Sequence, residues 1–194
     1  MKTNLCALNG AAGELDHLLK EVEKCAAYNN LSDENTIKLR LLAEELVCTL
    51  PVLLKDCSGN FWAENEGSCY RLVVKVRADS SVSYDVRKKA LQLASDGKNE
   101  AYRGIMGKIR MAAETLLYPS EFSPSYNEEA ESLTPYYEAW SLSAYKESIQ
   151  NELDEARRLA AWDELEMSII AKLATNVTVS VYNKDVTITV IKNF

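Results

Sequence analysis

A carboxylate and a hydroxyl stand one helical turn apart in an apolar stretch of the chain, where both could act on one ligand. The stretch reads Arg40-Leu41-Leu42-Ala43-Glu44-Glu45-Leu46-Val47-Cys48-Thr49. Because residues four apart share a helical face, Glu45 and Thr49 lie on the same side. A hydroxyl can ligate Mg²⁺, although it offers a single neutral oxygen. The alternative is that Glu44 and Glu45 form the polar stripe of an otherwise buried helix, with Arg40 paired to Glu44.

An aspartate follows a predicted strand in the segment Ala78-Asp79-Ser80-Ser81-Val82-Ser83. A buried aspartate needs a hydrogen-bond donor, so Asp79 would suit the inside of a ligand pocket. An exposed turn at the end of the strand explains the same segment equally well.

Two glycines three residues apart, Gly104 and Gly107, lie where a helix could begin. Glycines at a helix start let backbone N–H groups close on a phosphate, and the helix dipole favours the anion. Arg103 and Lys108 would oppose that dipole at about 0.3–1 kcal/mol each unless an anion is bound. The alternative is one continuous helix over 99–118, whose apolar residues keep helical spacing through both glycines. Both interpretations stay open.

These three segments, in this order and at compatible spacing, resemble the nucleotide motifs of GHKL (histidine-kinase-like) ATPase domains. The resemblance is closest to the anti-sigma-factor serine kinases and covers roughly 30–118 and 165–194. The first segment is similar to the N-box helix, with its pattern Glu-Glu-x-x-x-Asn. The second is similar to the Asp-x-Gly-x-Gly box, and the third to the second glycine box.

The resemblance implies a role for each matched position. Glu45 would activate water or a substrate hydroxyl, Thr49 stands where an asparagine helps to hold Mg²⁺, and Asp79 would accept a hydrogen bond from the adenine amino group. The implied nucleotide-binding residues are Glu45, Thr49, Asp79, Gly104, Gly107 and Lys108.

Three positions depart from the family pattern, since Thr49 replaces the asparagine, and Ser81 and Ser83 replace the two glycines of the aspartate box. A side chain where positive φ is required costs on the order of 1–2 kcal/mol. We therefore expect a regulatory, anti-sigma-factor-like protein on a degenerate GHKL scaffold, which binds a partner protein and holds ATP or ADP with Mg²⁺ weakly, without turnover. The alternatives are a purely structural or interaction domain with no nucleotide site, and an active ATP-dependent protein serine kinase or ATPase with Glu45 as base.

The composition limits the remaining functions. A net charge of −7 over 194 residues, with no basic patch, argues against a nucleic-acid partner. Five scattered cysteines without a Cys-x-x-Cys pair predict reduced thiols in the cytoplasm, and no stretch reaches the roughly 20 apolar residues that span a bilayer. The one histidine, His17, falls on the polar side of an amphipathic segment, which excludes a catalytic triad or a multi-histidine metal site. A homodimer is compatible with the sequence.

Hydrophobic periodicity predicts a single α+β domain over 1–194. The predicted helices are 14–28, 33–54, 84–95, 99–118 and 162–174, and the predicted strands are 60–64, 69–78, 177–182 and 186–191. The apolar residues of the second helix cover so much of its circumference that burial on most sides is predicted. We expect a two-layer sandwich in which helices cover one face of a mixed, mostly antiparallel sheet, and the GHKL resemblance implies the same architecture.

An insertion at approximately 119–160 precedes the closing hairpin. Its first part, 119–135, holds three of the four prolines and predicts a long loop. Between 118 and 145 it is rich in aromatic residues, namely Tyr118, Phe122, Tyr126, Tyr136, Tyr137, Trp140 and Tyr145. Since disordered linkers are poor in aromatics, these rings are expected to pack onto the domain, with contact to a partner as the alternative.

Overall fold

The described part of the chain joins its strands into one sheet. The computed structural model describes residues 1–9, 13–53, 58–77, 105, 107–109, 112–113, 137–182 and 185–194. The strands are β1 (Cys6–Leu8), β2 (Gly59–Glu66), β3 (Cys69–Arg77), β4 (Tyr137–Ser141), β5 (Asn176–Tyr182) and β6 (Asp185–Asn193). The helices are α1 (Glu14–Tyr28), α2 (Asp33–Leu53), α3 (Leu142–Gln150), α4 (Glu155–Met167) and α5 (Ile169–Leu173). The α+β class is therefore confirmed.

The sheet has the strand order β1-β2-β3-β6-β5-β4. Each of its neighbouring pairs is antiparallel, so the mixed sheet expected from the sequence is not seen in the described residues. Strand β3 lies inside the sheet and pairs along its whole length with β6 and over most of it with β2. The β2–β3 and β5–β6 hairpins confirm the strands predicted there.

Alternation along β3 decides which face of the sheet is buried. Tyr70, Leu72, Val74 and Val76 are buried, as the period of two predicted. Across the strands Val74 lies opposite Phe61 and Ile188, and all three side chains belong to the core cluster. Burial of each such side chain contributes about 1.5–3 kcal/mol. On the opposite face of β3, Val73 is buried, whereas the charged residues between the core positions are half-exposed or exposed.

Helices cover the buried face. Helix α1 packs on β1 and β2 through Leu18, Leu19, Val22 and Ala26, which confirms its predicted amphipathic pattern. Its polar side carries His17, which is exposed as expected. Helices on one face and polar alternation on the other agree with a two-layer arrangement.

Over residues 33–48, whose side chains the structure describes, helix α2 corrects the prediction of burial on most sides. It packs against α1 and α5 through a single stripe, made of Leu39, Leu42, Ala43 and Leu46. Ile37 and Leu41 are 59% and 39% exposed on the outward side. The apolar count overestimated burial because a stripe with spacing i, i+3, i+4, i+7 is enough to dock a helix.

The helix predicted at 162–174 is two helices that meet at Ser168. Helix α4 ends at Met167, and the hydroxyl of Ser168 accepts a hydrogen bond from the backbone N–H of Ala171 at 3.2 Å, which caps α5. A serine in a mainly helical pattern thus starts a new helix here.

Part of the predicted insertion contributes to the domain itself. Strand β4 forms an edge of the sheet beside β5, and α3 follows it directly. Trp140 and Tyr145 pack against the core with ring centroids 6.1 Å apart, which confirms intramolecular packing for these two rings. The predicted helix 84–95, the predicted loop 119–135 and most of the predicted helix 99–118 lie outside the described residues.

Within the described residues, none of the helices combines the length and the apolar content needed to cross a membrane.

Gly59, the first residue of β2, lies opposite Val76 of β3 and gives a test of packing between these two strands. A Cβ at this position would lie 2.5 Å from the carbonyl oxygen of Lys75 and 2.5 Å from a methyl carbon of Val76. Gly59→Ala should therefore lower the free energy of unfolding by about 1–3 kcal/mol, because backbone of the paired strand must move. Urea denaturation checks this. Asn60→Ala, an exposed change one residue along the same strand, is the control, and equal stability of the two variants would contradict the expectation.

Candidate functional site

The helix that carries the predicted N-box, α2, is continuous through both of its candidate residues. Its start is fixed by Ser32, whose hydroxyl accepts a hydrogen bond from the backbone N–H of Asn35 at 3.4 Å. Glu45 is half-buried at the border between the buried stripe of α2 and its exposed side. Thr49 follows one turn later in the same helix. The structure thus places the two residues in one helix, as predicted.

A thiol lies on the same stretch of α2. Cys48 is exposed, yet partial shielding of its sulfur raises its pKa, and the carboxylates of Glu44 and Glu45 raise the pKa further. Two negative charges within one turn disfavour a thiolate. Cys48 therefore stays protonated at neutral pH and is unsuited to nucleophilic chemistry.

Arg40 does not pair with Glu44, which corrects one of the sequence interpretations. Its guanidinium donates to the carboxylate of Glu23 on α1, with 2.6 Å between Nη1 and Oε1. Both side chains are largely exposed, so the pair contributes about 0–1 kcal/mol. The pair joins α1 to α2. An ion pair with Arg40 is therefore not the reason for a glutamate at position 44.

Three strand ends meet at the end of the sheet that the chain reaches after α2. The register pairs Gly59 with Val76 and Arg77 with Asp185, so the start of β2, the end of β3 and the start of β6 lie together. An ion pair between Lys75 and Asp185, at 3.0 Å, stabilises this end of the sheet. The chain leaves the sheet here just before Asp79.

Five of the residues discussed for the site lie outside the described residues, namely Asp79, Ser81, Ser83, Arg103 and Gly104. The convergence of the three motifs on one concavity therefore stays a prediction.

The third motif falls partly within the structure and is helical there. Ile105, Ile109 and Ala113 are buried in the core with helical spacing, and Gly107 is buried between them. This agrees with the continuous helix that the sequence offered as an alternative. It leaves the role of Gly107 as a phosphate ligand untested.

Lys108 lies beside an aromatic ring of the predicted insertion. Its ammonium is 5.9 Å from the ring centroid of Tyr145, within the range of a cation–π contact. Burial raises the pKa of Tyr145, and the carboxylate of Glu164 raises it further. No local sequence pattern connects Lys108 with the aromatic insertion. The density of aromatic residues was the one signal that could have linked them.

The acidic and thiol groups of the described residues form no group of three or more that could hold a metal ion. Within the described residues, Glu45 therefore belongs to no such group.

Comparison of the sequence with models of known protein families finds no match, and comparison with curated proteins finds none either. Any proposal about function therefore rests on the fold, on the geometry of α2 and on the strand ends described above.

The pKa of Cys48 can be tested through its reactivity. Replacing both carboxylates, in Glu44→Gln with Glu45→Gln, should lower the pKa of Cys48, because a thiolate then meets less negative charge. At a fixed mildly alkaline pH, alkylation of Cys48 by iodoacetamide should become faster. Peptide-resolved mass spectrometry measures the rate at this residue alone. Glu34→Gln, near the other end of α2, is the matched control, and an unchanged rate in the double variant would contradict the electrostatic cause.

Proposed function

We propose that this protein is a regulatory protein on a degenerate GHKL-like ATPase scaffold, similar to anti-sigma factors. It binds a partner protein and holds ATP or ADP weakly, without turnover. The nucleotide would lie between the Glu45–Thr49 face of α2 and the segment that begins at Asp79.

One observation carries the proposal. Strand β2 is the next element after α2, and the antiparallel register brings the end of β3 back beside the start of β2. Glu45 lies eight residues before the end of α2, which is about 12 Å at 1.5 Å per residue. Asp79 follows the last residue of β3, Arg77, by two positions. Chain connectivity thus leads from Glu45 and towards Asp79 at one end of the sheet, and this supports the proposed common site.

The departures from the family pattern favour binding over catalysis. Phosphoryl transfer depends on positioning and on neutralisation of charge by the metal ion. Thr49 weakens the metal site, and the serines at 81 and 83 alter the loop that should approach the nucleotide. These changes act on both requirements at once.

The outward face of α2 supports the protein-binding part of the proposal. Ile37 and Leu41 expose apolar surface one turn apart on the helix that also carries Glu45. A protein bound there would contact the same helix as a nucleotide.

The second candidate is an interaction domain with no nucleotide site, and the third motif favours it. Gly107 lies in a helical segment between the buried residues Ile105 and Ile109, and Lys108 already contacts the ring of Tyr145. Under this alternative the two glycines serve close packing instead of phosphate binding.

Thermal unfolding with ATP or ADP separates the two candidates. Ligand at a hundred times its Kd adds about 2.7 kcal/mol, which should raise the Tm by roughly 5–10 °C at this chain length. We expect a rise at millimolar nucleotide that depends on Mg²⁺ and is lost in Asp79→Ala. Asp163→Ala, which removes an exposed aspartate on α4, is the control and should keep the rise.

Other outcomes of the same experiment point elsewhere. A Tm that does not move at millimolar nucleotide would leave the interaction domain, or a regulator that binds protein alone. Release of phosphate from ATP that disappears in Glu45→Gln would instead support the active kinase or ATPase.

A further inference from the structure

Strand β1 is part of a longer stretch of chain that covers one edge of the sheet. It lies at the end of the strand order and pairs with β2. Before it, Lys2 forms a bridge with Glu64, and the backbone N–H of Asn65 donates to the carbonyl oxygen of Met1 at 2.7 Å. Residues 1–8, the strap, thus cover β2 along almost its whole length.

The strap pairs irregularly with β2 at its centre. Between Lys2 and Cys6 it has one residue more than the stretch of β2 that it faces. Ala63 in that stretch donates its backbone N–H to the side-chain hydroxyl of Thr3 at 3.0 Å, where a regular antiparallel ladder would offer a backbone carbonyl oxygen. Leu5, in the same irregular part, is 59% exposed. A strand that keeps one register would therefore make a more complete backbone ladder with β2.

Few side chains anchor the strap, all of whose residues the structure describes. Within it, Cys6 and Leu8 alone belong to the core cluster. On α1, the carboxylate of Glu21 accepts a hydrogen bond from the side-chain amide of Asn4 at a long 3.4 Å. Ordering the strap costs backbone entropy, which these contacts and the interrupted ladder offset by a small margin. We therefore expect the strap to open locally while the rest of the sheet stays folded.

The outer face of β2 holds a cation of the strap. The ammonium of Lys2 lies 4.1 Å from the ring centroid of Trp62 and 3.5 Å from Oε1 of Glu64. The indole N–H of Trp62 donates to the same oxygen at 2.6 Å, which fixes the ring and the carboxylate relative to each other. An aromatic face beside a carboxylate binds ammonium or guanidinium groups. Since the side chain of Lys2 is 51% exposed, a cation of another chain could take its place.

We propose that the edge of β2 is a binding site for an extended peptide of a partner protein, and that the strap competes with this peptide. The peptide adds a strand in one unbroken register, so that backbone hydrogen bonds supply affinity. It carries lysine or arginine opposite Glu64, and an apolar side chain opposite Phe61, where Cys6 of the strap is buried. Closure of the strap lowers the apparent affinity by the fraction of molecules whose edge is open. Nothing in this site depends on nucleotide binding.

Hydrogen exchange of the full chain tests the opening of the strap. The backbone amides of residues 1–8 should exchange at least about tenfold faster than those of β3, which pairs with a strand on either side. Asn4→Ala and, separately, Leu8→Ala should speed the exchange of the strap further and leave β3 unchanged. A strap that exchanges only as fast as β3 would overturn the proposal, because the edge would then not open in the folded protein.

A labelled heptapeptide, Met-Lys-Thr-Leu-Val-Ala-Leu, tests binding by fluorescence anisotropy. It keeps the sequence of the strap without Asn4, which restores a single register, and valine replaces the cysteine to prevent oxidation. The Leu8→Ala and Asn4→Ala variants, whose straps are weakened, should each bind it about tenfold more tightly than the unchanged protein. Absence of binding to both variants would contradict the proposal.

A charge exchange in the Leu8→Ala variant tests the cation site. Adding Glu64→Lys should weaken binding of the heptapeptide about tenfold and favour instead a peptide with glutamate in place of its lysine. Glu66→Lys, two residues along the same face of β2, is the control and should leave both affinities nearly unchanged. This reversal of preference cannot come from a change in the fold. Binding that ignores the charge at position 64 would show non-specific adhesion of an apolar peptide and would overturn the proposal.

Discussion

The fold depends on the pairing of β3 with a strand on either side. Its nine residues are paired with β6 throughout, and β2 pairs with all but the last of them. This pairing satisfies the backbone of a strand that carries buried side chains from Tyr70 to Val76. It also fixes the register, because a slip of one residue would turn the charged side chains of β3 into the core. The end of the sheet from which the chain continues to Asp79 is therefore determined by the pairing of β3.

The helices attached to this sheet show how far local pattern reaches. The stripes of α1 and the alternation of β3 were predicted closely, because each is a simple period against one buried face. Strand β1 was not predicted, since three residues are too few to show a period. Strand β4 was missed because a bulge between Glu138 and Trp140 interrupts its register. Burial around α2 was overestimated since it depends on which neighbours pack against the helix.

The candidate site shows the same division between local and tertiary information. That Glu45 and Thr49 share one helix follows from their spacing alone. That Arg40 reaches Glu23 follows from the packing of α1 beside α2, which no local pattern contains. The contact of Lys108 with Tyr145 joins residues 37 positions apart and depends on the placement of α3. Residue types predicted which groups could do chemistry, whereas their partners depended on packing.

Lys108 links the predicted phosphate site to the aromatic insertion. A cation–π contact at an exposed site is worth about 0.5–1 kcal/mol, and a hydrogen bond to a charged group about 1.5–3 kcal/mol. An anion bound at Gly107 would therefore draw the ammonium away from the ring of Tyr145. Since Tyr145 packs beside Trp140 on the β4 edge, the loss would be felt where the insertion joins the sheet. Under the proposed function, nucleotide binding at Gly107 would thus be coupled to the position of the insertion through this one side chain, without any turnover.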